Sequence, residues 1–436
     1  MSSSCMSPGR RRLLQGSGAL AATRFTGLMG ALYAQNALAA TGKQTVSALS
    51  PYGALAPVKD ATTGLPLLQL PPGFSYRSFG WTGDSMSDGN PTPGNHDGMA
   101  VVTSRRAGRS TELVLVRNHE RGLVATPAEA IQAPRSYATQ PVNGIITVYY
   151  GSLPIRIGAG GIVTDPSAAA PAPFVGYPAG GTTNLLFRDA NWAGATGSIG
   201  GTLGNCAGGP TPWGTWLTCE EIKSNATSSA GRKHGYVFEV DPDGERTTGR
   251  PLVAMGRFSH EAVAIDPRTG YVYLTEDDRN KSGLYRFIPN DRAGRLGSLD
   301  NGGRLQAARV VGRDNVDLTV AVIGAEYALE WVDIADPDLD SLDGAGVPDL
   351  SSGETISGPF AQAWTEGALR MARGEGIWYA SGRMFIVDTA TGLDSRGRKG
   401  RGNGAVWVLD LASQRLSALF VSGDQLAANN PDNITV

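Results

Sequence analysis

Apolar residues in this chain come in short runs: Leu113-Val114-Leu115-Val116, Tyr236-Val237-Phe238, Ala262-Val263-Ala264-Ile265, Tyr271-Val272-Tyr273-Leu274, Leu284-Tyr285-Arg286-Phe287, Met384-Phe385-Ile386-Val387 and Ala405-Val406-Trp407-Val408-Leu409. They are rich in β-branched and aromatic residues, too short for helices, and bounded by Gly, Pro, Asn and Asp, which predicts strands separated by tight turns. Three following turns rhyme: Asp241-Pro242-Asp243-Gly244, Asp266-Pro267-Arg268-Thr269-Gly270 and Asp388-Thr389-Ala390-Thr391-Gly392. A strand, an Asp-x-x-Gly turn and a second aromatic strand, repeated with degenerate spacing, is the pattern of propeller blades. The expected fold is therefore all-β, a β-propeller. A β-sandwich could use the same strands but would scatter their ends over two faces.

Several of these runs deliver acids at or beside a strand end: Asn118-His119-Glu120, Thr218-Cys219-Glu220-Glu221, Ser259-His260-Glu261, Thr275-Glu276-Asp277 and Gly374-Glu375-Gly376. Any one of these acids can be a solvated strand end. Together, among Trp, Tyr, Val and Leu, they predict a shared centre, because clustered carboxylates repel one another unless cations neutralise them. An oxygen-rich site of that kind suits calcium or another hard ion better than zinc.

Composition supports a turn-dense β protein: 59 glycines and 26 prolines accompany only 18% charged residues in 436. The loops at 154–184 and 288–360 read as insertions in one domain. Within the second, Asp336, Asp338, Asp340 and Asp343-Gly344 resemble a calcium loop but misplace the EF-hand glycine. Residues 1–39 stand apart. Arg10-Arg11-Arg12-Leu13-Leu14, a mildly apolar stretch interrupted by Arg24, and Ala37-Leu38-Ala39 resemble a twin-arginine export signal. That stretch is too weak to span a membrane. The expectation is export of a 40–436 single domain to the periplasm or beyond by the twin-arginine machinery.

The signal carries four arginines and no acids, so 34 basic and 40 acidic residues remain, a net charge of −6 that makes nucleic acid a poor partner. Cys5 leaves with the signal. In an oxidising compartment Cys206 and Cys219 predict a disulfide, with a metal thiolate as the sharper alternative. There is no G-x-S-x-G elbow, no phosphate loop and no H-E-x-x-H helix. Four histidines, His96, His119, His234 and His260, are too few for a His-rich dinuclear site. His119 and His260 each precede a Glu, and strand neighbours face opposite ways, so both read as packing or supporting residues.

The most specific stretch runs from Gly200 through Asn205-Cys206-Ala207-Gly208-Gly209 to Cys219-Glu220-Glu221. Here the chain resembles the PhoX-type alkaline phosphatases, a likeness that extends over Leu115 to Glu120, Ser259 to Asp277, Gly283 to Phe287, Arg373 to Tyr379 and Pro431-Asp432-Asn433. The resemblance implies a six-bladed propeller with a calcium and iron (Ca2+, Fe3+) cluster on its axis, cleaving small-molecule phosphate esters. The family's iron-ligating cysteine falls on Cys206, against the disulfide. Its carboxylate ligands fall on Glu120, Glu220 or Glu221, Glu261, Glu276 or Asp277, Glu375 and Asp432, and its phosphate-contacting arginine on Arg373. Arg373 and Glu375, two apart, share a strand face and are the expected catalytic pair. After Asp432 the family continues to a further acidic strand end, so the last blade is expected to lack its closing strand. The alternatives are a calcium-dependent lactonase or esterase on a similar propeller, needing no thiolate, or a non-catalytic calcium-binding propeller.

Overall fold

The computed structural model describes residues 52–436 apart from 109, 141, 145, 151–152, 159–160, 164–173, 224–231, 351–352 and 424–428. The expected export signal and its cleavage site lie outside the described residues.

Antiparallel sheets succeed one another along the chain. The first contains β1 (His96–Ala107), β2 (Ser110–His119), β3 (Gly180–Arg188) and β4 (Asn191–Thr202), paired in that order. The second contains β5 (Asn205–Pro210), β6 (Trp216–Glu220) and β7 (Val237–Val240). The third contains β8 (His260–Ile265), β9 (Val272–Glu276), β10 (Leu284–Pro289) and β11 (Gly303–Val310). After β12 (Glu326–Asp333) and the short helix α1 (Gly358–Thr365) comes the fourth: β13 (Gly374–Ala380), β14 (Arg383–Asp388), β15 (Ala405–Asp410) and β16 (Arg415–Val421). The first strands of successive sheets, β1, β5, β8 and β13, lie side by side. Four sheets packed face to face with their first strands innermost are propeller blades.

Strict alternation explains why the runs look continuously apolar. Val272 and Leu274 of β9 enter the core between the second and third blades, beside Leu217, Val237 and Phe287. Tyr273, between them, enters the core between the third and fourth, beside Ile386, Trp407 and Leu416. Every strand of an inner blade is thus buried on both faces. Strand β12 pairs with β11 through Leu329–Asp333 and with β16 through Glu326–Ala328, tying two outer rims together. The expected rhyme of turns is corrected in one case. Asp241 and Asp266 begin turns at one end of their blades, whereas Asp388, paired with Gly374, stands at the opposite end with Glu276, which pairs with His260.

The innermost backbones approach closely. A Cβ on Gly98 of β1 would lie 2.6 Å from Ala207 Cα and 3.2 Å from Cys206 O of β5. Gly98→Ala should therefore lower stability by roughly 1–3 kcal/mol through overpacking, measured by thermal or denaturant unfolding. Wild-type stability in this variant would show that the two strands part readily.

Candidate metal centre

All four innermost strands carry the same irregularity near their start. His96 pairs with His119 and Met99 with Arg117; Asn205 pairs with Glu220 and Gly208 with Thr218; His260 pairs with Glu276 and Val263 with Leu274; Gly374 pairs with Asp388 and Ile377 with Ile386. Two residues oppose one in each case, so each strand holds a β-bulge, a device that re-aims a side chain. The residue re-aimed is Asp97, Cys206, Glu261 or Glu375. Each is followed by Gly or Ala, which lets the neighbouring backbone close in.

The second strands repeat as regularly. The N–H groups of Glu120, Glu221, Asp277 and Thr389 donate to the carbonyls of Asn95, Gly204, Ser259 and Arg373, at 2.9, 2.8, 3.0 and 3.1 Å. Three acids thus arrive at equivalent positions beside the bulges, and Thr389 replaces the fourth.

This repeat sorts the acidic doublets. Cys206 Sγ, Glu221 and Glu261 offer ligand atoms within 4.8 Å of one another, and so do Glu261, Glu375 and Asp432. The thiol of Cys206 donates to Glu261 Oε1 at 3.1 Å. Arg373 donates through Nε to Asp277 Oδ1 at 2.6 Å and through Nη2 to Asp277 Oδ2, and lies 3.3 Å from Glu375 Oε1. Glu120 stands exposed on the solvent side of this group and contributes to the charge around Glu221 and Cys206.

Glu220 and Glu276 are corrections to the expected ligand set, because local donors occupy both carboxylates. Glu220 accepts from Leu203 N at 2.8 Å, Gly235 N at 2.7 Å and Tyr236 N at 3.1 Å, and meets His234 Nδ1 at 2.7 Å. Glu276 accepts from Ser357 Oγ and Tyr285 OH, both at 2.6 Å, and Gly283 N at 3.1 Å. They face away from Glu221 and Asp277 because adjacent strand residues do. Asp388 and His119 fill the same position, and both turn to local backbone and hydroxyl partners. His260 meets Gly256 O at 2.9 Å and packs on Phe258, so neither expected packing histidine enters the cluster.

The disulfide expectation is also corrected. Both cysteines are free, and Cys219 points into the core between the second and third blades. Asp338 and Asp340 do not form a calcium loop; they engage Lys233 and Arg257, with Tyr236 OH donating to Asp338 at 2.7 Å.

Asp97 escaped sequence reasoning. It lies on no apolar run, and only comparison of His96-Asp97-Gly98 with His260-Glu261-Ala262 would have found it. Loss of hydration, followed by the charge of Glu120, pushes its carboxyl up to about 7.

Burial and mutual repulsion push Glu221, Glu261 and Glu375 well above the usual carboxylate range. Burial, then Glu261 and Glu221, does the same to the Cys206 thiol. Burial of so many like charges is strongly unfavourable unless cations neutralise them. The thiol with two carboxylates suits a transition metal such as iron, and the all-oxygen group suits calcium.

Residues 50–436 match the family model for alkaline phosphatase PhoX. The chain belongs to this family. A search of curated proteins found none that matches. Among solved structures, PhoX of Pseudomonas fluorescens in complex with vanadate, a transition state analogue, is similar at 19% identity and a TM-score of 0.41, over 78% of this chain and 72% of that one. Among the described residues no helix is long and apolar enough to cross a membrane.

Two outcomes follow for this PhoX family member. Glu220→Gln should cost roughly 2–3 kcal/mol of stability through lost charge-assisted hydrogen bonds while metal content stays at the wild-type level. Calorimetry with elemental analysis reads both. In chelator-treated protein, the raised carboxyls are ionised in the unfolded chain above its pKa and protonated in the folded one, so stability is lost as pH rises. His119 and His260, held by burial down to about 3, oppose this slope near pH 6.5, where the unfolded imidazoles are half charged, and add none above about pH 7.5, where they are neutral in both states. Unfolding between about pH 7.5 and 9 should therefore show stability falling by up to about 1.4 kcal/mol per pH unit per group still protonated, and added calcium should flatten the curve. A flat curve without metal would contradict the repulsion described here.

Proposed function

We propose that this protein is an exported metallophosphatase that hydrolyses phosphate monoesters, with calcium and iron held at the hub of a propeller formed by a 40–436 domain. Export by the twin-arginine machinery, removal of residues 1–39 and a six-bladed ring are parts of this reading. The observation that carries it is the convergence of Cys206, Glu221 and Glu261, and of Glu261, Glu375 and Asp432, into two groups of ligand atoms that share Glu261, in a chain of the PhoX family.

Cys206, Glu221 and Glu261 would hold iron, and Glu261, Glu375 and Asp432 calcium, with Glu261 common to both; Asp97, Glu120 and Asp277 stand ready as further ligands. When bound, such cations gather phosphate oxygens, neutralise their charge and activate an oxygen nucleophile, so no serine is required. The protein's own part is positional. Asn118 Nδ2 donates to Cys206 O at 3.0 Å, and its Oδ1 accepts from Trp216 Nε1 and Thr218 Oγ1, both at 2.9 Å, fixing the bulge that presents the thiol. Thr275 Oγ1 donates to Glu375 O at 2.6 Å and so holds the equivalent bulge of the fourth blade. Arg373, braced by Asp388 through its backbone N–H at 3.0 Å, spends Nε and Nη2 on Asp277, so a phosphoryl group would share or displace that carboxylate to meet its planar guanidinium.

The test is elemental analysis of purified protein beside a p-nitrophenyl phosphate assay. Cys206→Ala should lose iron and at least a hundredfold in turnover, and Glu375→Gln should lose calcium and turnover together. Iron-free protein that hydrolyses a lactone or carboxyl ester, but not p-nitrophenyl phosphate, and keeps that activity in Cys206→Ala would favour the calcium-only lactonase or esterase alternative.

A further inference from the structure

Two arginines near the cluster take no part in the reading above. Arg279 follows Asp277 by two residues on the loop leaving β9, and Arg401 lies in the basic loop between β14 and β15. Four hydrogen bonds to backbone carbonyls fix their segments at the site. Asn280 N donates to Ala372 O at 2.7 Å, one residue before Arg373. Arg279 Nη1 donates to Gly400 O at 2.7 Å. Asn430 Nδ2 donates to Thr389 O at 2.8 Å and reaches Gly402 O at 3.3 Å, which brings the basic loop against the segment that supplies Asp432.

Neighbouring cations in this loop are spent on acids: Arg398 on Asp394 at 2.7 Å and Lys399 on Asp317 at 3.3 Å. Among the described residues neither Arg279 nor Arg401 has an ion pair within 4.0 Å, and both are only partly exposed. The charges around Arg279 are Arg373, Arg401, Asp277 and Glu375. Of those acids, Asp277 is already forked by Arg373, and Glu375 belongs to the cation cluster. Two guanidinium groups held beside a third, with no acid assigned to them, leave an unmatched positive ledge next to the position expected for a phosphoryl group.

We propose that Arg279 and Arg401 read a second negative charge on the substrate, so that the preferred phosphate monoesters carry a carboxylate or a further phosphate on their alcohol. This rests on the phosphatase reading above. One charge-assisted hydrogen bond to such a group corresponds to about a tenfold preference.

The experiment uses the metal-loaded protein and two esters that differ in one group, 2-phosphoglycerate, which bears a carboxylate, and glycerol 2-phosphate, which bears a hydroxymethyl group there. At low ionic strength kcat/KM should favour 2-phosphoglycerate about tenfold, and the preference should shrink towards one in about 1 M salt, where charges are screened within a few ångströms. Arg401→Gln should reduce the ratio and Arg401→Glu should bring it below one, a reversal that a merely structural arginine would not produce. Arg279→Gln gives a second reading should the Arg401 variants fail to fold. Turnover of both esters at a ratio of one, insensitive to salt, would overturn the ledge alone. No turnover of either ester would overturn the phosphatase reading, and this inference with it.

Discussion

Repulsion among carboxylates is the constraint on which this fold is organised. Glu221, Glu261 and Glu375 come from three blades, and each is driven by burial and then by neighbouring acids, Asp277 among them, towards the protonated form. Asp277 is met by the Arg373 fork. Such a group survives only where a rigid frame forbids retreat and a counter-charge offsets the repulsion. Three inter-blade cores supply the frame, through residues such as Val116 with Trp216, Leu217 with Leu274, and Tyr273 with Trp407. Among the described residues Arg373 alone is paired with these acids, on Asp277 and Glu375, which leaves the charge of Glu221 and Glu261 for bound cations to offset.

The convergence itself follows from strand geometry. A regular strand sends alternate side chains to its two faces, and both faces of these inner strands are committed to cores. A bulge breaks that commitment at one residue and turns it towards the hub. Asp97, Cys206, Glu261 and Glu375 use the device in turn, and the adjacent hairpin strands present Glu120, Glu221 and Asp277 beside them. The preceding residues, His119, Glu220, Glu276 and Asp388, spend their polar groups on local donors and acceptors, which anchors the strand end that holds each acid or, after Asp388, Thr389. A doublet such as Glu220-Glu221 is therefore one anchor and one hub-facing acid.

Much of this was legible in the sequence. The short runs with their Gly and Asp punctuation identified blades, and the acidic strand ends identified a centre. Which member of each doublet faces the hub was not legible, because alternation gives relative direction and the bulge that sets absolute direction has no residue signature beyond a small residue after the acid. Asp97 was hidden for the same reason, since β1 begins with His96-Asp97-Gly98-Met99 and no apolar run announces it. Cys206 and Cys219 resembled a disulfide pair by composition alone. They face different surroundings because Cys206 occupies a bulge and Cys219 a regular β6 position with its side chain in a core. The turn at Asp388 matched the Asp266 turn in residues but not in place, because a turn motif does not say which end of a sheet it closes.

Four near-identical hairpin ends would by themselves make a symmetric ring of acids, able to trap cations but with no preferred direction for a substrate. The departures from symmetry supply that direction. Cys206 replaces an acid on one blade and gives that side a soft donor. Thr389 replaces the acid of the fourth blade, and Asp432 enters from the terminal segment instead, held where its carbonyl accepts from Gly376 N at 2.9 Å. Arg373 occupies the position that Asn95, Gly204 and Ser259 hold elsewhere, so among these four equivalent positions the cation stands on the blade lacking a second-strand acid. Negative charge is thereby weakest, and hydrogen-bond donors strongest, on the side of the fourth blade. An anionic ester can approach a hub of carboxylates only from such a side, and the sequence differences among equivalent positions create it.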